Sequence, residues 1–309
     1  MQPRHFAQLV FLSAVWGGSF PLIRIAAPAF GPLVMACLRC ALAAVVLAVL
    51  MRATRQAWPA RAHWISLTVL SLLTVVTPFV LFNWAGLVLP AGYSAVLNAT
   101  APLFGVLAGA LFKEERLTLR KLLGCAAGVG GVALLVRLGP VQPDARVVLA
   151  VLACVAASAS YGFGAILMKR ATLVLQPLPA SAAVHAAGAL VLLLPAGAGL
   201  PAVQLRPEAL LAIAVLGMVT SGFMYWISMR LMREISASAA TSSAFMIPMF
   251  GVTWGGLFLG EPFTPGMLPG VVLVLVACAF VTGFNPLWWL VASRQPEKPA
   301  ARKGLSPGE

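Results

Sequence analysis

Apolar stretches of about 20 residues, long enough to cross the hydrocarbon of a bilayer as helices, recur along this chain between short polar joints. Ten are read: 6–27, 32–51, 64–87, 91–112, 118–137, 147–168, 178–198, 208–229, 235–259 and 266–285. After Pro286 the chain still holds LWWLVAS, in which Trp288 and Trp289 suit a membrane interface. It then becomes RQPEKPAARKGLSPGE, a polar, proline-rich tail that reads as disordered.

The pattern also repeats. Residues 102–118 read PLFGVLAGALFKEERLT and residues 248–264 read PMFGVTWGGLFLGEPFT, an offset of 146 positions. Pro102, Phe104, Gly105, Val106, Gly109, Leu111, Phe112, Glu115 and Thr118 recur as Pro248, Phe250, Gly251, Val252, Gly255, Leu257, Phe258, Glu261 and Thr264, and Gly124 with Gly270 extends the match. AVWGGSFPLIRIA near the start parallels SASYGFGAILMKR in the sixth stretch, pairing Trp16 with Tyr161, Gly17 with Gly162 and Arg24 with Lys169. The stretch at 6–27 is needed to complete this repeat, so it is read as a helix and not as a cleaved signal.

Composition agrees with a lipid solvent. The chain is 61% hydrophobic and 9% charged, where a soluble domain carries about 25% charged residues. The net charge of +13 would suggest nucleic acid in a soluble protein. Here the cations cluster between apolar stretches, with no basic stripe interleaved with aromatics, so they report orientation in the membrane. With the N-terminus cytoplasmic, that side holds Arg4, Arg52, Arg55, Arg61, Lys113, Arg116, Arg120, Lys121, Lys169, Arg170, Arg230, Arg233, Arg294, Lys298, Arg302 and Lys303. The outer side holds only Arg24, Arg137, Arg146 and Arg206.

Five helices per repeat is an odd number, so the second copy enters the membrane upside down. Its repeated phrase ends outside in cation-free GEPFTPG, and the first ends inside in KEERLTLRK. The expected fold is an all-α polytopic membrane protein of ten transmembrane helices as two inverted five-helix repeats. The first spans 1–140, the second 145–285, and 286–309 is a cytoplasmic tail. Inverted repeats favour a transporter whose halves rock around a midplane site, although channels and membrane enzymes can also be duplicated.

VWGGSF in the first stretch, MACLRCALAAVVL in the second and the twice-written P-x-F-G…E-x-x-T phrase resemble the EamA-type branch of the drug/metabolite transporter superfamily. The resemblance covers about residues 6–285. It implies a ten-helix fold with both termini cytoplasmic and movement of small metabolites, often export of amino acids or related compounds. In one respect the sequence departs from the family pattern. The second-helix arginine matches Arg39, but Val184 and His185 stand at the aligned place in the second half.

Pro102 and Pro248 each remove a backbone donor and can kink a helix. Gly105 with Gly109, and Gly251 with Gly255, put two glycines on one face, where a second helix can approach closely. These six residues are hinge or packing candidates. Glu115 and Glu261 fall at helix ends, where a carboxylate opposes the dipole. Each is expected against the N-terminus of the following helix, near Thr118 or Thr264, as a clasp or a gate latch.

None of the eight acidic residues lies mid-span, which removes a carboxylate proton relay. Cys37, Cys40, Cys125, Cys154 and Cys278 lie in apolar runs as small packing residues. No metal-ligand cluster, cofactor motif or catalytic constellation is present, so no cofactor and no enzyme activity are expected. Two basic side chains do lie in spans, and intramembrane ionisable groups are functional candidates by default. Arg39 could attract a carboxylate or phosphate. His185 could respond to protons, a role that transport constant between about pH 5.5 and 8 would argue against. Trp16, Asn83, Trp84, Tyr93, Asn98, Tyr161, Tyr225, Trp226, Thr241 and Ser242 complete the candidate substrate lining.

The expected protein is a plasma-membrane exporter of small metabolites such as amino acids. Lipophilic drugs are the alternative cargo. Its partners are a small-molecule substrate and the lipid bilayer, not nucleic acid. The sequence leaves substrate identity, direction, coupling ion and oligomeric state open.

Overall fold

The computed structural model describes residues 3–113, 116–138, 141–142, 144–234 and 243–282. Among these residues eight helices are long and apolar enough to cross a membrane: α1 (Arg4–Phe30), α2 (Pro32–Ala53), α3 (Arg61–Ala85), α4 (Ala91–Leu111), α5 (Leu119–Leu138), α6 (Ala145–Val174), α7 (Pro177–Gly197) and α8 (Pro207–Glu234). Two shorter apolar helices follow, α9 (Met246–Leu259) and α10 (Pro265–Val281). No strand occurs among the described residues.

The sequence explains where the helices begin. Pro32, Pro177 and Pro207 sit in first turns, where a missing N–H costs nothing. Gly31 turns the chain from α1 to α2 at φ 71°, a left-handed conformation that a side chain would strain. Asp144 caps α6 by accepting a 2.8 Å bond from the Val147 N–H.

Each helix is apolar nearly all round, and burial separates two kinds of apolar residue. On α7 Leu192 is 3% exposed and Leu194 is 86% exposed. Outward leucines of this kind form a surface matched to lipid tails, as in a multi-pass membrane protein.

Lipid gives helices no hydrophobic reason to associate, so close packing at small residues must supply the contact. A Cβ on Gly162 of α6 would lie 2.6 Å from the Gly105 nitrogen and 2.7 Å from Phe104 on α4. On α1, Gly17 meets Phe250 and the Gly251 nitrogen of α9 in the same way. Gly131 of α5 packs against Gly270 and Val274 of α10. Gly251 and Gly255 do pack against another helix, facing Ala95 and Gly92 of α4. At Gly105 α6 also approaches closely, but the crowding falls on the partner glycine. A Cβ there meets only the Gly162 oxygen, at 4.0 Å, so the helix crossing demands a glycine at Gly162. Gly109 is buried in α4.

The two repeated prolines differ. The helical hydrogen bonding of α4 is interrupted after Asn98 and resumes at Ala101, with Pro102 in the first turn of the second piece. Pro248 lies inside α9, which runs on without a break. The regular winding is broken instead in α3 and α8, which widen to π-helix over Leu72–Val76 and Val215–Phe223. Such turns disturb the backbone ladder and gather at functional sites.

Candidate functional site

The two π-helical segments lie at the centre of the candidate site. Thr74 and Thr220 occupy them 146 positions apart, the offset of the repeated phrase, and each donates its hydroxyl to the carbonyl four residues back, at 2.8 and 2.7 Å. Carbonyls in these turns take bonds from remote helices. Ser160 Oγ of α6 donates to Leu73 O at 2.8 Å, and Trp16 Nε1 of α1 donates to Thr220 O at 3.2 Å. Irregular backbone at membrane depth needs such partners.

Arg39 projects from α2 beside these segments and is only 5% exposed. Its Nε and Nη2 both donate to Ser221 Oγ of α8, at 3.3 and 3.1 Å. Its guanidinium lies 3.7 Å over the Phe79 ring of α3, a cation–π contact strengthened by desolvation. Among the described residues no carboxylate pairs with it. Glu234 pairs with Arg4 and His5, Glu261 with Arg24, and Asp144 caps α6.

Three more candidates gather here. Tyr161 stacks on Phe82, whose other neighbour is Phe20. Tyr225 reaches Thr74 Oγ1 at 3.0 Å. The threonine hydrogen already goes to Leu70 O, so the tyrosine is the donor. His185 of α7 meets Tyr225 edge-on, with 4.8 Å between ring centres. Arg39 is close enough to Tyr161 and His185 to act on both electrostatically. Arg39, Phe79, His185, Ser221 and Tyr225, all buried, and half-buried Tyr161 thus form one cluster drawn from α2, α3, α6, α7 and α8.

Other sequence candidates lie elsewhere. Asn83 is buried, but its amide donates to Pro32 O at 3.2 Å and ties α3 to the start of α2. Trp84 is half-buried against the main apolar core. Tyr93 is 1% exposed within that core and borders a small pocket with Glu261. Trp226 stacks edge-on with Phe223 and packs beside Leu47, Met51, Leu178 and Ala182, away from the cluster. Trp16 is the exception, since its indole reaches the π-helical turn of α8 at Thr220 O, and it also borders a second small pocket with Leu12 and Ser228. Asn98 ends the first piece of α4 with its Oδ1 unpartnered. Thr241 and Ser242 lie outside the described residues.

Sequence reading missed Phe79, Ser221 and Thr74. Phe79 and Tyr225 share the 146-residue offset, as do Arg39 and His185. Each basic side chain therefore packs on the ring at the matching place, a signal available from the repeat.

Glu261 corrects another expectation. It does not clasp the helix that follows it. Its Oε1 accepts from the Ala91 N–H at 2.9 Å and its Oε2 from the Gly92 N–H at 3.2 Å. The carboxylate thus neutralises the positive end of α4, remote in sequence. Arg24 of α1 lies 3.5 Å away and also donates to Leu89 O. Glu115 lies outside the described residues.

Residues 6–137 and 148–283 each match the EamA-like transporter family. The chain belongs to that family. It is therefore one of a family of membrane transporters, in agreement with its apolar helices. Its sequence is 28% identical over 270 residues to a "Probable terminal-alkyne amino-acid exporter" of Streptantibioticus cattleyicolor, covering 86% of this chain and 89% of that one. It is 26% identical over 281 residues to the "Uncharacterized inner membrane transporter YedA" of Escherichia coli K12, covering 90% of each. A solved structure described only as "Crystal structure of protein" shares the fold with a TM-score of 0.61 at 17% identity, covering 88% of this chain and 98% of that one.

Proposed function

We propose that this EamA-family protein is a secondary transporter that exports small metabolites, amino acids foremost, from the cytoplasm across the plasma membrane. In this reading ten helices form two inverted halves, 1–140 and 145–285, with both termini cytoplasmic. The halves rock around the Arg39 cluster. The observation that carries the reading is Arg39 itself, a buried guanidinium without a carboxylate partner among the described residues, held by groups from both repeats. A buried charge lacking an opposite charge is costly, and a small carboxylate would supply one. The amino-acid exporter among its relatives supports the same cargo. A family of transporters and the absence of a catalytic constellation in the sequence favour transport over catalysis.

The rings of Phe20, Phe79, Phe82 and Tyr161 around the cluster favour a second cargo, lipophilic compounds. Spent-medium profiles separate the two readings. Cells overproducing the wild type should accumulate one or more amino acids outside, compared with Arg39→Gln at equal membrane abundance. Identical profiles, together with resistance to apolar toxicants, would favour the second reading.

Rocking requires the outer contact to open. In this mechanism Glu261 releases Ala91, Gly92 and Arg24 as the site turns outward, and the break in α4 at Pro102 and the proline in α9 at Pro248 act as flexible points. Losing acceptors for two backbone donors shifts such an equilibrium by about 1–3 kcal/mol, roughly 5- to 150-fold in population. Glu261→Ala should therefore raise the reaction rate of a cysteine at Ala91 with an impermeant maleimide, tested in a background without the five native cysteines. An unchanged rate would remove Glu261 from gating.

A further inference from the structure

We propose that His185 Nε2 receives the ammonium group of a substrate whose carboxylate lies on Arg39, so that the site selects zwitterionic α-amino acids over carboxylates lacking the amine. This inference rests on the amino-acid reading above and adds the group that sets its specificity.

The ring geometry defines what His185 can offer. Its Nδ1 lies 2.9 Å from Ser181 O. A carbonyl only accepts, so Nδ1 carries the hydrogen. In the neutral ring Nε2 is then an acceptor. That atom is fully buried and has no partner, although His185 is 0% exposed. Buried polar atoms are nearly always satisfied, and an orphan acceptor calls for a donor from outside the chain.

The orphan does not stand by itself. Gly188, one turn along α7 from His185, faces Ser71 Oγ and Cys40 Sγ; a Cβ there would lie 2.8 and 3.3 Å from them. Ser71 Oγ is likewise buried and unpartnered, and Cys40 directly follows Arg39. Two unsatisfied oxygen or nitrogen atoms thus line the contact of α7 with α2 and α3. Tyr225, against which His185 packs, gives its hydrogen to Thr74 and keeps its oxygen lone pairs.

The chemistry is complementary. The guanidinium accepts no hydrogen bond and suits a carboxylate. The imidazole nitrogen and hydroxyls suit N–H donors, and nearby π-faces suit an ammonium. No carboxylate of the described residues is there to compete for the amine. The repeat places these two unlike functions at matching positions, Arg39 on Phe79 and His185 on Tyr225, which fits a ligand with unlike ends and not a symmetric anion.

A competition experiment on reconstituted protein tests this. Proteoliposomes carry out counterflow of labelled alanine, leucine, threonine and cysteine, and the best of these is challenged with its own deamino analogue, the carboxylate with hydrogen in place of the amine. In the wild type this analogue should compete at least about tenfold more weakly than the amino acid, because it offers no N–H and the buried acceptor stays unpaired. His185→Phe should lose that discrimination, and His185→Gln, which keeps an acceptor, should recover part of it. Arg39→Gln should weaken the amino acid and its analogue together. If amino acids move but the deamino analogue competes equally in the wild type, or His185→Phe keeps full discrimination, the proposal is wrong and the transport reading stands. If none of the labelled amino acids moves, the amino-acid reading falls and this proposal falls with it.

Discussion

Arg39→Gln should lower transport efficiency by about 10- to 100-fold at equal membrane abundance. Hydrogen bonds to a charged group are worth about 1.5–3 kcal/mol, and each 1.4 kcal/mol or so is tenfold in affinity. The glutamine keeps polarity and some reach but loses the charge proposed to draw a carboxylate. Arg39→Lys should retain more activity without restoring it fully. An ammonium keeps the charge, but it cannot present Nε and Nη2 together to Ser221 or lie flat on Phe79. Initial rates of counterflow over a range of substrate concentration give the comparison. The wild type should exceed lysine, and lysine should exceed glutamine. Equal rates in all three would mean that Arg39 serves the fold alone.

Gly162→Leu should have the largest effect on the folded protein. The atoms nearest a Cβ at Gly162 are the Gly105 nitrogen at 2.6 Å and the Phe104 carbonyl carbon and Cβ at 2.7 Å. Two of the three belong to backbone, which cannot swing aside. Overpacking of a rigid contact costs about 1–3 kcal/mol for small additions and more for a bulky side chain. Gly162→Ala should therefore already reduce thermal stability in detergent, and Gly162→Leu should abolish accumulation in the membrane. Gly105→Ala is the informative control. It lies across the same crossing, but its Cβ would meet nothing closer than 4.0 Å, so melting temperature should stay close to wild type. A loss at Gly105 equal to that at Gly162 would contradict the packing described here.

The contrast between these glycines shows what the sequence can and cannot say. The Gly-x-x-x-Gly spacing marks a face for close approach, but not which partner supplies the crowding. That depends on how two helices, remote in sequence, cross. The same limit applies to Glu261. Its position at a helix end was legible, but its partners Ala91 and Gly92 are some 170 positions away.

Charged and aromatic residues in apolar runs were a partial guide to the site. Arg39, Tyr161, His185 and Tyr225 gather because polar atoms in lipid must turn inward. Tyr225 and Trp226 are neighbours in sequence, so about 100° separates them on a helix, and only Tyr225 faces the cluster. Asn83 lies one turn beyond Phe79, far enough along α3 to reach Pro32 instead. Ser221, Thr74 and Phe79 were not singled out, because serine, threonine and phenylalanine are ordinary residues of membrane helices. The π-helical turns that expose backbone at the site carry no composition signal at all.

The central claim is that a small carboxylate crosses the membrane through the Arg39 cluster. The most direct test is efflux from proteoliposomes loaded with a mixture of amino acids, comparing wild type, Arg39→Gln and protein-free vesicles. Saturable efflux of at least one amino acid by the wild type, reduced about tenfold or more in Arg39→Gln, is the predicted result. Wild-type efflux no faster than from protein-free vesicles, or undiminished efflux through Arg39→Gln, would contradict it.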